Sequence, residues 1–506
     1  MNPAYRPHLP PLTLIRLITV LASLLLSWLA VTLNAQPNTD AYIYVRTAEI
    51  ALEQGLTAAY GHYQWAHMSL VIAMIHKITG LSMFQAAYLL NALTFALMSL
   101  AFVNLVAALA PTRRVAWLAM LVILSFPLIN EFRAYIIRDI GFLGFALIAM
   151  LQLIHFNRTL LLRHAVLFVA ASLAAALFRP EALLLMYVSP VTLLMNKSLS
   201  ENNRRRGFLR LEIIALLAIA PMLIVFAFSQ IELQQQLQSF ALIYQPFLNN
   251  LQDIFQPDAA LNAAVFGEYG AQFVGQYSGI FLFVGLLAVL LACLIDSLGL
   301  VGAPLLAYGY IKRLVKLEHP VTNVLLIWAG TSLLILLAFI LLTRFITTRY
   351  ALMFCTVLLI FIPFIVDRSW RIAAAENRTR RFAGLMIFLL LFAFIDSHIS
   401  FGDPKRHLQE ATAWIEQSTR RDAPLVTNEI YLAYETGRVE DYDVVRREME
   451  PELLLQASPG TIFALTPRGS FDQQLQAEIN RGALRLIRSF SAERGADLMV
   501  FEKELP

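Results

Sequence analysis

Long apolar runs, each about the length that crosses a lipid bilayer, recur along most of this chain. A helix needs about 20 apolar residues to cross a hydrocarbon core of roughly 30 Å, and it pairs its own backbone polar groups there. Hydrophobic residues make up 58% of the sequence and charged residues 15%, against about 25% charged in soluble domains. The apolar runs begin near residues 13, 83, 115, 138, 165, 180, 211, 279, 321, 349 and 382. The sequence therefore predicts an α-helical polytopic membrane protein with about eleven transmembrane helices.

The distribution of Lys and Arg between these runs predicts the orientation. Short cytoplasmic loops are enriched in Lys and Arg. With the N-terminus in the cytoplasm, the predicted inside segments hold 19 of these residues, and the outside segments up to residue 349 hold seven. We therefore expect a multi-pass protein of the inner (plasma) membrane with a cytoplasmic N-terminus. Extracytoplasmic loops are expected at 34–82 and 230–278.

The composition becomes that of a soluble domain at about residue 398. An amphipathic helix is predicted after residue 402, with Leu408, Ala411 and Ile415 on one face. Four short strand-like runs follow, APLVTN, TIFALTP, ALRLIRSF and DLMVFEK, separated by turn residues. We expect a transmembrane domain at 1–397 and a small extracytoplasmic α/β domain at 398–506.

Charge and motifs exclude several other classes. The net charge of +4 comes from short basic clusters between apolar runs, which predicts membrane lipids and no nucleic acid as partners. The two cysteines, Cys293 and Cys355, lie within apolar runs and give no disulfide framework. The sequence contains no Walker-type phosphate loop, no Rossmann glycine pattern and no G-x-S-x-G elbow.

Four groups of ionisable and aromatic residues lie at the predicted outer ends of the helices. A charge at the middle of the bilayer costs on the order of 2.5–3.5 kcal/mol unless it is paired or hydrated. The convergence of these four groups on one face therefore points to a function. Helix capping by Asp40 and snorkelling of a lone Arg179 are the structural alternatives. The groups are Asp40 and Tyr42 in 37–55, Glu131, Arg133, Tyr135, Arg138 and Asp139 in 131–139, Arg179 and Glu181 in 178–183, and Arg344, Arg349 and Tyr350 in 343–350.

Arg344 and Arg349, at the predicted outer helix ends, run against the orientation rule, which indicates that they bind an anion. An acid near several arginines suits transfer of a group from a lipid phosphate, because the departing phosphate needs positive charge to receive it. The acid then acts as general base on the acceptor hydroxyl or amine.

The sequence at these positions resembles the polytopic GT-C glycosyltransferases of the protein O-mannosyltransferase and aminoarabinose-transferase kind. The matching elements are Asp40 in TDAYIY, the E-x-R-x-Y turn from Glu131 to Tyr135, the RPEA segment after Phe178, and the Arg349–Tyr350 pair. The segment HMSLVIAMIHKITGLSMFQAAYLLNAL is similar to that family's juxtamembrane helix, glycine turn and second span. Two features depart from the pattern. The proline that usually begins the juxtamembrane helix is replaced by WAHMSL, and a single Asp40 stands where many members have an acidic doublet.

The resemblance implies an extracytoplasmic cavity, a polyprenyl-phosphate-linked sugar donor, and a lipid, glycan or protein acceptor. Asp40 would be the general base, and Glu131 would orient the acceptor or the base. The remaining residues divide between donor phosphate binding (Arg133, Arg138, Arg344, Arg349 and Arg179) and other positions in the cavity (Tyr42, Tyr135, Asp139, Glu181 and Tyr350).

Alternatives to this interpretation stay open. The sequence identifies no definite cofactor. A divalent metal ion held by His62 and His67 is one alternative, although GHYQWAH does not match a standard zinc spacing. A transporter or lipid flippase would place the same charges along a pathway, yet no second half of the sequence mirrors the first. A non-catalytic membrane scaffold is the third hypothesis.

Overall fold

Helices account for most of the structure, a computed structural model. It describes residues 10–33, 36–110, 112–228, 245, 247–252, 254, 259–398, 406–419, 422–445, 456–467, 470–492 and 495–504. Part of the loop predicted at 230–278, including 230–244, lies outside the described residues.

Six helical stretches among the described residues are long and apolar enough to cross a membrane. A seventh is counted if the helices Arg113–Ser125 and Pro127–Ala134, which meet at 48°, form one broken span. The bend falls at Phe126, because a residue that precedes proline is biased away from helical backbone angles. The six stretches are Leu12–Leu33, Met83–Leu109, Asp139–Thr159, Asn262–Ile311, His319–Thr343 and Thr348–Ala375. The prediction of an α-helical integral membrane protein is confirmed.

Helices also cover the other predicted runs. Leu162–Ala176 and Glu181–Leu194 are apolar but shorter than a full span. Helices Glu201–Phe228 and Thr379–His398 lie at the runs predicted near residues 211 and 382. Three further helices, Thr39–Glu53, Leu56–His62 and His67–Thr79, follow the first span, and the last of them ends at Gly80 in the left-handed conformation.

The C-terminal region forms the small α/β domain that the sequence predicts. Its strands are β1 Leu425–Thr427, β2 Ile462–Leu465, β3 Leu484–Phe490 and β4 Leu498–Lys503, and each falls within one of the four predicted runs. The sheet order is β1-β2-β4-β3, with β1 parallel to β2 and the other pairs antiparallel.

One face of this sheet packs against the predicted amphipathic helix, which spans Arg406–Ser418. Leu408, Ala411 and Ile415 of that helix are buried in a core with residues of all four strands. Among its described residues, the domain also has α-helices at Ile430–Glu435 and Ser470–Asn480.

The chain divides into two compact units. The first comprises Met1–Leu25, Ala92–Phe132 and Arg138–His398 and contains most of the apolar helices. The second comprises Leu26–Asn91, Arg133–Ile137 and Ile399–Pro506. The residues that follow the first span therefore belong to the same unit as the C-terminal sheet.

Candidate functional site

Four charged side chains from three segments meet inside the first unit: Asp139, Arg179, Glu181 and Arg349, here named the Asp139 cluster. Each lies where a helix begins or is interrupted. Asp139 and Glu181 are the first residues of their helices, where the aligned peptide dipoles favour negative charge. Arg179 occupies the break before Pro180, and Arg349 lies in the single turn Thr348–Ala351. Backbone breaks thus bring these side chains to helix ends.

Both carboxylate oxygens of Asp139 accept hydrogen bonds from arginine. Arg179 Nη1 donates to Oδ1, and Arg349 Nε donates to Oδ2 at 2.7 Å. Arg179 also donates from Nε and Nη2 to Glu181 Oε1, at 3.2 and 2.6 Å. Only 3% of the Asp139 side chain is exposed. Asp139 is therefore a buried acceptor held between two cations.

The two carboxylates and two guanidinium groups of the Asp139 cluster sum to a formal charge of zero. An isolated ion at membrane depth is costly, whereas an opposed and hydrogen-bonded pair recovers much of that cost. The ion pairs explain how four ionisable groups can lie together in one largely buried site. An incoming anion would therefore have to compete with Asp139 for the arginine donors.

A small cavity of about 40 Å³ opens beside the Asp139 cluster. Because about 10–15 Å³ is enough for one water molecule, this volume holds water but not a sugar. The ring of Tyr350 lies 5.6 Å from the Arg179 guanidinium carbon, within range of a cation–π contact. The remaining lining residues are Phe142, Leu143, Leu185, Ser332, Ile335, Leu336, Leu352 and Met353.

A glycine in the helix Asp139–Thr159 allows the segment that carries Arg179 to pack closely against this helix. A Cβ atom added at Gly141 would overlap the ring of Phe178, the residue just before Arg179. Only a residue without a side chain therefore lets Phe178 pack in this place. The packing positions the backbone from which Arg179 reaches Asp139.

Three of the four predicted groups contribute to the Asp139 cluster, but not all of their members do. Arg138 precedes the helix of Asp139 at its N-cap position. Arg344 has a left-handed backbone and donates from Nη2 to the Asn250 carbonyl at 3.2 Å. Glu131 is exposed at the end of the helix Pro127–Glu131.

Two members of the 131–139 group belong to the second unit. Arg133 is fully buried, its Nη1 donates to Ser27 Oγ at 3.0 Å, and its carbonyl accepts from Asn91 Nδ2. Tyr135 is exposed. These contacts tie Arg133 to the interior of its unit.

Asp40 lies in the first turn of the helix Thr39–Glu53 in the second unit and is partly exposed. Asn38 occupies the N-cap position, but its side chain makes no capping hydrogen bond. Its amide instead bonds the backbone of Ile136, with Nδ2 donating to the carbonyl at 3.2 Å and Oδ1 accepting from the N–H at 2.8 Å. Asn38 thus fastens the start of this helix to Ile136.

Tyr42 lies in a core of the second unit and is only 1% exposed. Its ring makes edge contacts with Phe84 and Tyr434 at centroid distances of 5.2 and 5.6 Å. Burial raises the pKa of the Tyr42 phenol above its ordinary value, so the group stays neutral. The structure therefore shows Tyr42 packed in the core of the second unit, and its predicted role in a cavity stays a prediction.

The two histidines considered as metal ligands have other partners. His62 bonds Asp443 through Nε2 at 2.7 Å and Thr47 Oγ1 through Nδ1 at 2.9 Å, and the ring of His67 packs against Tyr60. Among the described residues, no group of three His, Cys, Asp or Glu side chains is arranged to hold a metal ion.

Sequence reasoning missed several residues that complete these surroundings. Ser332 lines the cavity beside the Asp139 cluster. In the second unit, Tyr442 donates its hydroxyl to Glu49 Oε2 at 3.0 Å, and Asp443 pairs with His62. The partners in these two bonds are 393 and 381 positions apart, so no local pattern signals them.

Comparison with known proteins gives similarity at the level of structure only. No protein-family model matches the chain, and no curated protein sequence does. Similar solved structures include the archaeal oligosaccharyltransferase AglB from Archaeoglobus fulgidus in complex with an inhibitory peptide and a dolichol-phosphate (TM-score 0.46). They also include the apo form of the oligosaccharyltransferase from the same organism (TM-score 0.41). In both, the sequence identity is 15% and the likeness covers 81% of this chain but 58% of the other.

Proposed function

We propose that this integral membrane protein is a glycosyltransferase of the GT-C kind. It moves a hexose or pentose from a polyprenyl-phosphate-linked donor to a lipid, glycan or protein of the cell envelope, at the extracytoplasmic face of the inner membrane. The observation that carries the proposal is the Asp139 cluster, in which Arg179 and Arg349 lie at the ends of apolar helices beside a cavity.

Sugar transfer breaks the bond between the anomeric carbon and the donor phosphate oxygen and forms a bond from that carbon to the acceptor. The electron pair of the broken bond stays on the phosphate, whose negative charge rises as the bond opens. Guanidinium N–H groups stabilise this charge and match two phosphate oxygens at once. Arg349 and Arg179 serve this role in the proposal, and polyprenyl phosphate is the lipid product.

Asp139 holds the two arginines ready while no donor is bound. Fixing both guanidinium groups beforehand reduces the ordering cost when the phosphate arrives. The phosphate then accepts the hydrogen bonds that Arg179 and Arg349 donate to Asp139 while the site is empty. Because the present cavity is smaller than a sugar, donor binding also requires helix ends near Tyr350 to move apart.

Asp40 accepts the proton of the acceptor hydroxyl or amine in this proposal. Its partly exposed position at the start of a helix leaves the carboxylate accessible. Glu131 orients the acceptor, and Arg138 and Arg344 are secondary contacts to the donor.

Binding and transfer are tested separately, with undecaprenyl phosphate as the probe because every such donor yields a polyprenyl phosphate. In purified protein, Arg349→Gln should weaken binding of this probe about tenfold or more, because the variant loses one charge-assisted hydrogen bond to the phosphate. Arg206→Gln is the control, since Arg206 is an exposed arginine of the same unit, outside the cluster and at the predicted cytoplasmic end. Equal binding by both variants would remove the cluster from donor recognition.

Transfer is measured with labelled lipid-linked sugars from the native membrane. Asp40→Asn should abolish turnover and leave probe binding unchanged, because a general base acts on the acceptor. Near-wild-type turnover would remove Asp40 from the mechanism. Lipid movement across empty liposomes without any transfer product would instead favour the transporter hypothesis.

A further inference from the structure

A second, much larger cavity lies within the first unit, apart from the Asp139 cluster, and shares none of its lining residues. It has a volume of about 770 Å³, within the range of about 300–1,000 Å³ typical of small-molecule pockets. Four helices form its walls: Arg113–Ser125, Ser278–Ile311, Ile362–Ala375 and Thr379–His398. Most of its lining side chains are apolar, so we name it the apolar slot.

The apolar slot is long. Its lining residues on the last helix run from Thr379 to Asp396, which is about 26 Å at 1.5 Å per residue and close to a hydrocarbon core of roughly 30 Å. The wall formed by Ser278–Ile311 bends at Gly299, where a φ of 67° breaks the helix beside the slot. This shape suits an extended hydrocarbon chain better than a compact ligand.

Specific contacts lie at both ends of the apolar slot. At one end, Ser397 Oγ donates to the Ser125 carbonyl at 3.3 Å. At the other, the Arg114 guanidinium carbon lies 5.3 Å from the Trp370 ring, which contacts the edge of Phe382 at 6.0 Å. Asp367 fixes Arg114 in this place through an ion pair of 2.8 Å. One end of the apolar slot therefore carries a cation, Arg114, that its ion pair with Asp367 holds in position.

Positive charge surrounds the Arg114 end. The chain segments 113–114 and 367–381 carry seven arginines against two acids, Asp367 and Glu376, a formal excess of five positive charges. These arginines are named the basic rim: Arg113, Arg114, Arg368, Arg371, Arg378, Arg380 and Arg381. Basic pockets between membrane helices on the cytoplasmic side attract anionic lipid headgroups. The orientation predicted from the sequence places this rim on that side.

We infer that the apolar slot binds an anionic glycerophospholipid, with its tail between the four helices and its phosphate at the basic rim. The length and apolar lining match the tail, and the excess of arginine matches the headgroup. The inference does not depend on the proposed glycosyltransferase activity, because it uses neither the Asp139 cluster nor Asp40.

Native mass spectrometry of the protein purified in mild detergent tests whether a lipid stays bound. Ala383→Trp places a large side chain in the slot and should reduce the retained phospholipid at least tenfold. Leu385→Trp is the matched control, since Leu385 is on the same helix, 51% exposed, and not part of the lining. It should retain the lipid as the wild type does.

A second experiment keeps the slot intact and changes only the headgroup preference. Wild type and the double variant Arg380→Gln/Arg381→Gln are reconstituted in zwitterionic vesicles with or without phosphatidylglycerol, and the bound lipid is identified. Two arginines near the membrane surface should change the preference for the anionic lipid about thirtyfold, which is about 2 kcal/mol.

Three results would overturn the inference. One is a wild type that retains no lipid, and another is an Ala383→Trp variant that retains as much as Leu385→Trp. The third is retention of a polyprenyl phosphate or a neutral lipid, which would assign the slot to a different occupant. An unchanged headgroup preference in the double variant would refute the role of the basic rim.

Discussion

Replacing Asp139 with asparagine separates two consequences of the same cluster, stability and anion binding. Removing one partner of a buried ion pair typically costs about 3–5 kcal/mol, because the remaining charge loses its compensation. Here Arg179 keeps two hydrogen bonds to Glu181, and the Arg349 side chain is 23% exposed. The cost should therefore lie near the lower bound, about 3 kcal/mol.

The same substitution should strengthen binding of a phosphate. The Asp139 cluster changes from a formal charge of zero to +1, and the phosphate no longer displaces a carboxylate from the arginines. A charge-assisted hydrogen bond contributes about 1.5–3 kcal/mol, so recovering the lower figure raises affinity about tenfold. Asp139→Asn should thus be less stable than the wild type but bind undecaprenyl phosphate more tightly.

Chemical denaturation in detergent gives the stability difference, and titration with undecaprenyl phosphate gives Kd. Glu268→Gln serves as the control, because Glu268 is an exposed carboxylate of the first unit outside the cluster. A variant that is destabilised but has an unchanged Kd would show that Arg179 and Arg349 only support the fold. A variant as stable as the wild type would refute the buried ion pairs themselves.

Three other substitutions test the packing. Gly141→Ala should destabilise the protein by about 1–3 kcal/mol, because its Cβ would overlap the Phe178 ring; thermal unfolding measures this, and a neutral effect would contradict it. Gly330→Ala should instead stabilise by about 0.5–1 kcal/mol, since its Cβ meets no atom within 4 Å, and a lower melting temperature would be the contrary result. Tyr442→Phe should destabilise the protein by about 1–3 kcal/mol, because Glu49 loses the hydrogen bond from the Tyr442 hydroxyl. Hydrogen exchange of the helix Thr39–Glu53 measures this, and unchanged exchange would contradict it.

The repeated apolar runs and the four C-terminal strands could be predicted from the sequence because each depends on local composition. A run of apolar residues forms a helix in lipid wherever it lies in the chain. A strand is recognised from a few neighbouring residues, because its apolar side chains alternate or follow one another between turn residues. The structure has strands within all four predicted runs.

The central position of Asp139 could not be predicted in the same way. The charged group at 131–139 indicated that Asp139 lies near a cavity, but its partners Arg179 and Arg349 lie 40 and 210 positions away. Their meeting depends on how helix ends pack in three dimensions, and Gly141 contributes by admitting Phe178. Arg133 illustrates the reverse case, since its neighbours in the sequence suggested phosphate binding and its side chain is fully buried against Ser27.

The charge balance of the Asp139 cluster bears on how a membrane protein keeps arginines available for an anion. Two uncompensated guanidinium groups at a buried site would be costly whenever the site is empty. With Asp139 and Glu181 present, the empty cluster is neutral and its arginines are already oriented. A phosphate brings its own negative charge, so it can replace Asp139 as the acceptor without leaving the arginines unpaired. Neutrality at rest is therefore compatible with anion binding and selects for a ligand that is itself charged.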